Sequence, residues 1–279
     1  MQVLFVTSEV YPLIKTGGLA DVSGALPKAL KSLNSFQGNV KILLPGYQKV
    51  FSQLEGLKTI ATMTVLGQPC KLMLGLMPQG DTHSPEVEVM IIKAPQLYER
   101  EGGPYSDSHG EDWPDNALRF GVLSRMASLL SSEATPYPSW QPTIVHCNDW
   151  QAGLTPAYMK LVDFSSAKSV FSVHNLAYQG CFDASYIPAL ELPYSHFNME
   201  GYEYYGQLSF LKAGLYYSDK LTTVSPTYAE EIQTPDFGFG MQGLLESRRE
   251  DLIGILNGID TQVWNPETDP YLFKNYSDK

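Results

Sequence analysis

The chain has 279 residues, of which 43% are hydrophobic and 18% charged, and its formal net charge is −11 at pH 7. This length can bury a substantial core, and the composition is typical of a soluble globular protein. The acidic balance argues against nucleic acid or an anionic membrane as the main partner, because both need a basic surface. The sequence shows no apolar run long enough for a membrane span, and its three widely spaced cysteines favour a reducing, cytoplasmic location.

Short apolar runs predict the strands, and several of them are apolar almost throughout. Such runs are typical of a parallel sheet that is covered on both faces. They lie at residues 3–8, 40–45, 87–93, 142–147, 168–174, 220–225 and 252–257. A further pair of runs over residues 62–77, separated by the turn-like GQP, predicts an inserted β-hairpin.

Segments of helical length lie between these runs, at residues 18–33, 115–131, 151–161, 206–217 and 226–233. Pro27 lies inside the first of them, so that helix is expected to kink or shorten. The acid-rich segment 98–116 is predicted to be a loop, serving either as a lid or as a solvated surface. The alternation predicts an α/β fold with a doubly wound, mostly parallel Rossmann-like sheet.

Polar groups follow one predicted strand after another along the chain. They are KTGG (15–18), PGY (45–47), HCNDW (146–150), VHN (173–175), VSP (224–226) and LNGID (256–260). The carboxyl ends of the strands of an open parallel sheet line one crevice, where such folds bind ligands. The sequence therefore predicts a binding site at this edge.

The KTGG segment offers a cation, Lys15, and two glycines, Gly17 and Gly18, that allow a ligand close to the backbone. A helix beginning there presents N–H groups and a positive dipole end, which favour a phosphate. The segment is neither a P-loop nor a dinucleotide-binding fingerprint, so a plain tight turn with a surface lysine is an equal alternative. Asp21, in the first helical turn, either complements the dipole or contacts ligand hydroxyls.

Two other strand ends carry groups with both a functional and a structural interpretation. Asp149 is either a site carboxylate or an ordinary helix N-cap. The pair His174 and Asn175 suits the hydrogen bonding of neutral sugar hydroxyls, but the imidazole is alternatively a satisfied buried group. His146 lies near Asp149, yet no HExxH, HxH or CxxC spacing supports a metal site, so none is predicted.

Aromatic side chains are concentrated in one stretch, where they either stack on sugar rings or pack the edge of the domain. Eight tyrosines lie there, at positions 178, 186, 194, 202, 204, 205, 216 and 217.

Taken together, the motifs resemble the N-terminal half of bacterial glycogen synthases and plant starch synthases. The similar stretches follow the family order over essentially the whole chain, at residues 8–30, 97–105, 146–154, 169–180, 206–219, 222–232 and 255–269. The resemblance implies a retaining glucosyltransferase that moves glucose from ADP-glucose, or UDP-glucose, to the non-reducing 4-hydroxyl of an α-1,4-glucan such as glycogen or a maltooligosaccharide. It implies the N-terminal Rossmann-like half of a GT-B fold, with no metal or other cofactor.

The resemblance also implies roles for individual residues. Lys15 and the backbone of Gly17 and Gly18 would lie against the diphosphate of the nucleotide sugar. His174 and Asn175 would contact the transferred glucose, with the His174 carbonyl near the anomeric carbon.

The remaining roles concern the other parts of the site. Asp21 and Asp149 would contact hydroxyls between donor and acceptor, and with His174 they form the implied catalytic set. Tyr105 would shape the acceptor side, and Asn257 would line the crevice near a second domain. Many relatives have a histidine where this chain has Asn148, which leaves the role of that position open.

The resemblance places an acceptor-side domain at residues 1–260 and the start of a linker at 261–279. The second domain of the family would be absent from this chain, so the chain alone is expected to have little transferase activity. A non-catalytic glucan-binding module is the alternative. A Rossmann oxidoreductase is disfavoured by the missing G-x-G-x-x-G, and a metal hydrolase by the absence of a metal-binding motif.

Overall fold

The computed structural model describes residues 1–78, 85–261 and 264–277. Its strands are β1 (Gln2–Val6), β2 (Asn39–Pro45), β3 (Lys58–Val65), β4 (Gln68–Leu76), β5 (Glu88–Lys93), β6 (Ile144–Asn148), β7 (Lys168–Val173), β8 (Cys181–Phe182), β9 (Glu203–Tyr204), β10 (Gln207–Ser209), β11 (Lys220–Thr223) and β12 (Leu252–Gly254). The helices are α1 (Gly18–Ser32), α2 (Gln48–Phe51), α3 (Pro95–Tyr98), α4 (Asn116–Ser131), α5 (Thr155–Leu161), α6 (Tyr186–Ala189), α7 (Phe210–Tyr217), α8 (Pro226–Glu231) and α9 (Gln242–Ser247), with 3-10 turns at Trp150–Ala152 and Tyr194–His196.

One large sheet has the strand order β12-β11-β7-β6-β1-β2-β5-β4-β3. All neighbours from β12 to β5 pair in parallel, while β4 pairs antiparallel with both β5 and β3. The predicted parallel sheet and its inserted hairpin are therefore confirmed. The strands β8, β10 and β9 form a separate small antiparallel sheet.

The central strand β1 is the point at which the winding of the sheet reverses. The chain runs from β1 through β2 to β5 on one side and later from β6 through β7 and β11 to β12 on the other. In open α/β sheets the ligand crevice lies at this switch point, outside the carboxyl ends of the strands. In this chain it lies where β1 and β6 end.

The core is built on the strands that the continuous apolar runs predict. Leu4, Phe5 and Val6 of β1 have no exposed surface, and neither do Leu43 and Leu44 of β2. Helix α4 packs on β1 and β2 and is buried along almost its whole length. A helix enclosed in this way has no separate polar face toward solvent, and its buried residues include the polar Arg119 and Ser124, which explains its weak amphipathic pattern.

Some predicted boundaries are wrong. Helix α1 continues past Pro27 to Ser32, so the proline does not shorten it. The segment predicted as a helix over 206–217 begins with β10, and α7 starts at Phe210 after Ser209, whose hydroxyl accepts a hydrogen bond from the Lys212 N–H at 3.1 Å.

Two further segments are shorter than predicted. The strand predicted over 252–257 ends at Gly254. The helix predicted over 151–161 is divided into a 3-10 turn and α5. At Gly153, between the two, an added Cβ would lie 2.1 Å from the carbonyl oxygen of Phe210, and Pro156 then opens the new helix.

The division into residues 1–260 and 261–279 remains a prediction, and positions 262–263 and 278–279 lie outside the described residues. Within the described ranges, each helix is too short or too polar to cross a membrane.

Candidate functional site

The carboxyl edge of the sheet brings the predicted site residues together around the ends of β1, β6 and β7. The loop Lys15–Gly18 lies between β1 and α1, Asp149 follows β6, and His174 follows β7. Because β6 lies between β1 and β7, the ends of strands that are more than a hundred positions apart in sequence are neighbours here.

The two glycines of the KTGG loop have no structural need to be glycine. Gly17 has an extended backbone, with φ −145° and ψ −163°, and Gly18 is the first residue of α1. A Cβ added at either position would meet no described atom within 4 Å. A tight turn therefore does not explain this residue choice. The space left open above a helix N-terminus suits an anionic group that approaches the backbone closely.

Lys15 and Asp21 form an ion pair at the mouth of this loop. The Lys15 Nζ lies 2.7 Å from both carboxylate oxygens of Asp21, and each side chain is 42% exposed. Exposed pairs of this kind contribute little to stability. The lysine can therefore exchange Asp21 for another anion at small cost.

Glu9, which is not among the predicted site residues, is the buried centre of the loop region, with 3% of its surface exposed. Its Oε2 accepts hydrogen bonds from the N–H groups of Thr16 and Gly17, the latter at 3.2 Å. Its Oε1 accepts from the hydroxyl of Tyr105, which also lies 2.8 Å from the Ser8 Oγ. Burial, and then the charge of Glu9, raises the pKa of Tyr105 well above its ordinary value, so this phenol stays protonated. An acid directly after an apolar strand was the signal available in the sequence.

Asp149 adopts a strained backbone, with φ +55° and ψ −178°. It precedes the 3-10 turn, but in the described structure its carboxylate does not cap that turn, so the N-cap interpretation is wrong. Its Oδ1 instead accepts a hydrogen bond of 2.7 Å from the His174 N–H. Burial raises the pKa of Asp149, while the neighbouring His174 opposes that rise. A non-glycine residue in this region stores strain of a kind that clusters at functional sites.

Asn148, whose role the sequence left open, orients His174. The Asn148 Nδ2 donates to the carbonyl of Val6 at 3.1 Å, so its Oδ1 is turned toward the His174 Nε2, also at 3.1 Å. Because an amide oxygen only accepts, the nitrogen that carries the proton toward it is Nε2. Asn148 is 1% exposed, which places this contact inside the protein.

His146 is a half-buried structural group. Its Nε2 lies 2.7 Å from the Ser172 Oγ, and its ring packs edge-on against Phe5 at 4.9 Å between centroids. Burial, with a smaller effect of nearby His174, lowers the pKa of His146 to about 4, so the ring is neutral at pH 7. Among the described residues, no group of three or more histidine, cysteine or acidic side chains is placed to hold a metal ion.

Asn257 and Asn175 lie beside His174 in different ways. Asn257 and His174 line one mostly apolar cavity of about 410 Å³ between α1 and the ends of β6, β7 and β11. Asn175 is exposed, and its Oδ1 accepts a 3.0 Å hydrogen bond from the Ala177 N–H, which fixes the turn after His174.

The other side of the switch point has the larger opening, a cleft of about 760 Å³ near the ends of β2 and β5. It is lined by Tyr47, Arg119 and the segment from Arg100 to Pro104, just before Tyr105. Tyr105 itself packs in an aromatic cluster with Phe120 and Trp150, at 5.8 and 6.4 Å between centroids. The predicted loop 98–116 thus forms a wall of this cleft.

The tyrosines of the 178–217 stretch have no single role. Tyr202 is fully buried, and its hydroxyl donates to the carbonyl of Pro193. By contrast, Tyr178, Tyr194 and Tyr205 are more than 60% exposed. The packing interpretation is therefore confirmed for Tyr202, and stacking on sugar rings stays a prediction for the exposed tyrosines.

The comparisons with known proteins agree on one family. The starch synthase catalytic domain matches residues 2–247. The glycogen synthases of Nitrosomonas europaea and Nitrosomonas eutropha are 51% and 50% identical over 280 and 281 residues, which is all of this chain and 55% of theirs. The catalytic domain of starch synthase IV from Arabidopsis thaliana, solved with ADP and acarbose, superposes with a TM-score of 0.79 at 29% identity, over 99% of this chain and 55% of that one. The chain thus spans about half the length of the relatives that it matches.

Proposed function

Because the chain belongs to the starch synthase catalytic-domain family, we propose that it carries the acceptor-side half of a retaining glucosyltransferase active site. The reaction is transfer of glucose from ADP-glucose to the non-reducing 4-hydroxyl of an α-1,4-glucan. A second domain, outside this chain, supplies the remaining contacts.

The KTGG loop is the observation that carries the proposal. It lies at the switch point of the sheet, and neither the backbone conformation nor the packing requires glycine at positions 17 and 18. Lys15 stands beside it with a weak, exposed partner. A diphosphate satisfies all three features, since its charge suits the lysine and the helix N-terminus, and its bulk needs the open backbone. Charge on the departing diphosphate is stabilised in this way during transfer.

Asp149 and His174 are proposed to hold the transferred glucose. Their mutual hydrogen bond fixes the turn after β7, and Asn148 fixes the imidazole, so the polar atoms facing the sugar are preorganised. The Asp149 carboxylate is already engaged by the His174 N–H. This supports retention by front-face displacement, in which the leaving diphosphate, rather than an enzyme carboxylate, helps to deprotonate the acceptor.

The acceptor glucan is assigned to the side of Tyr105. The cleft of about 760 Å³ that begins at Arg100–Pro104 is open to a chain of sugar rings, and aromatic side chains stand behind it. Asn257, on the cavity beside His174, is placed to line the crevice toward a second domain.

We propose ADP-glucose rather than UDP-glucose as the donor. The support for this choice is that the starch synthase IV catalytic domain was solved with ADP. A cytoplasmic location is supported by the buried free thiols Cys70 and Cys147, which suit a reducing compartment.

Binding measurements on the chain itself test the proposal. ADP and maltotetraose are expected to bind, each detected by calorimetry and by shifts of backbone amide resonances. Lys15→Ala should weaken ADP about tenfold, the loss of one charge-assisted contact, and leave maltotetraose binding unchanged. The matched control is Lys58→Ala, an exposed lysine on the outermost strand β3.

Equal ADP affinity in the wild type and Lys15→Ala would show that the KTGG loop is a tight turn with a surface lysine and does not bind the diphosphate. Transfer of labelled glucose from ADP-glucose to glycogen should be very low for the chain alone. Glycogen co-sedimentation without ADP binding would instead identify a glucan-binding module.

A further inference from the structure

A single buried carboxylate joins the two sides of the site. One oxygen of Glu9 accepts the N–H groups of Thr16 and Gly17 in the KTGG loop, and the other accepts the hydroxyl of Tyr105. Glu9 and Tyr105 are 96 positions apart in sequence. Since Glu9 is almost fully enclosed, these are its partners inside the protein rather than exchangeable surface contacts.

We propose that Glu9 is a positioning residue that couples the phosphate loop to the acceptor side through Tyr105. This inference rests on the proposed function for the identity of the two ligands, but the linkage itself is a property of the chain. The Glu9 carboxylate already accepts hydrogen bonds from the N–H groups of Thr16 and Gly17. It therefore sets the shape and the local charge of the loop that a diphosphate would contact.

The geometry explains why the two sides are linked. The two oxygens of a carboxylate share one negative charge, so a change of partner at one oxygen changes the hydrogen bonds that the other oxygen accepts. Charge-assisted hydrogen bonds are also roughly twice as strong as neutral ones. The loss of a partner at one oxygen of Glu9 therefore changes the hydrogen bonds at its other oxygen. A ligand that shifts Tyr105 therefore changes the loop amides, and by linkage each of the two ligands changes the affinity of the other by the same factor.

The first test needs no ligand. In uniformly ¹⁵N-labelled chain, Tyr105→Phe removes the phenol that Glu9 accepts, and it should shift the amide resonances of Thr16 and Gly17. In a Glu9→Gln background, where the charge that links them is gone, the same Tyr105→Phe change should leave those two amides in place. Thr16 and Gly17 resonances that stay fixed upon Tyr105→Phe in the wild-type background overturn the proposal.

Two further variants keep this test decisive. Ser8→Ala removes the other partner of the Tyr105 hydroxyl and leaves the Glu9 contact intact, so it should shift the two amides far less than Tyr105→Phe. This comparison uses the wild-type Glu9 and holds even when Glu9→Gln does not fold. Glu133→Gln, at an exposed acid after the end of α4, is the matched control for removing a carboxylate charge.

The second test uses ADP and maltotetraose as probes. In the wild type, saturating maltotetraose should change the ADP dissociation constant by about fivefold or more, the lower end of typical couplings. In Glu9→Gln this ratio should return to one, while Glu133→Gln keeps it. Failure of both probes to bind refutes the proposed function but leaves the amide experiment standing. Binding with the same ratio in Glu9→Gln and the wild type refutes the coupling alone.

Discussion

Replacement of His146 by glutamine tests the electrostatics beneath the site. The half-buried imidazole lies on a cavity between the sheet and α1, with its Nε2 at 2.7 Å from the Ser172 Oγ and its ring against Phe5. Glutamine places an amide nitrogen or oxygen at about the reach of Nε2, so it keeps a polar contact with Ser172. Unlike histidine, glutamine does not titrate. The difference between the two proteins therefore reports the contribution of proton binding by His146 to the free energy of unfolding.

The size and sign of the effect follow from the pKa of His146, which burial lowers from 6.5 to about 4. In the unfolded chain the imidazole binds its proton near the higher value, and in the folded chain only near the lower one. The stability of the neutral buried form is therefore complete above pH 6.5 and is lost as pH falls toward 4. At 1.36 kcal/mol per pKa unit, the wild type should lose about 3 kcal/mol over this interval from His146 alone.

Urea unfolding followed by circular dichroism, in steps between pH values of about 4 and 7, measures this term. The free energy of unfolding of the wild type minus that of His146→Gln should fall by about 3 kcal/mol from the upper to the lower end. His109→Gln, at an exposed histidine in the loop 98–116, is the matched control for replacing a histidine by glutamine. A flat difference for His146→Gln would show that the folded protein accepts a proton at this ring, and the burial argument would be wrong.

Two further variants test the fixed geometry of the site. Asn148→Ala should lower the free energy of unfolding by about 1 to 3 kcal/mol, since the two buried side-chain hydrogen bonds to the Val6 carbonyl and to the His174 imidazole are lost. Long-range ¹H–¹⁵N spectra should also show a reduced share of the Nε2-protonated form of His174, and an unchanged share would contradict the assigned contact. Gly180→Ala should cost about 3 kcal/mol, because the φ of +56° is strained for alanine and the new Cβ would lie 2.2 Å from Trp150. Gly67→Ala, at φ +72° with open space around it, should cost about 1 kcal/mol, and equal losses in thermal unfolding would argue against the clash.

The strands and the position of the site could be predicted because both depend on local patterns. Apolar runs such as VLFV and VKILL belong to strands that are buried on both faces, so hydrophobicity alone marks them. Once the strands are parallel, polar groups after each strand must share an edge, and Asp149 and His174 do come into contact there.

What the sequence could not show depends on contacts between distant residues. The positions of Glu9 and Asn148 after apolar strands are visible in the sequence, but their importance comes from partners 96 and 26 positions away. The segment Gln207–Ser209 was expected to be helical, but pairing with β8 and β9 overrides its local preference. Contacts between residues far apart in sequence determine these features, and a short stretch of neighbouring residues does not reveal such contacts.

The strain at Asp149 shows how these distant contacts serve the site. A backbone of this kind costs about 1 to 3 kcal/mol and persists only where its surroundings fix it. Here the Asp149 N–H donates to the carbonyl of Ser172 at 2.9 Å, and its carboxylate accepts from His174, so both ties lead to β7 and the turn after it. Asn148, one residue earlier, ties the same strand end to Val6 of β1. The ends of β1, β6 and β7 are thus bound into one rigid unit, and the groups that face the proposed sugar take their positions from the sheet rather than from mobile loops.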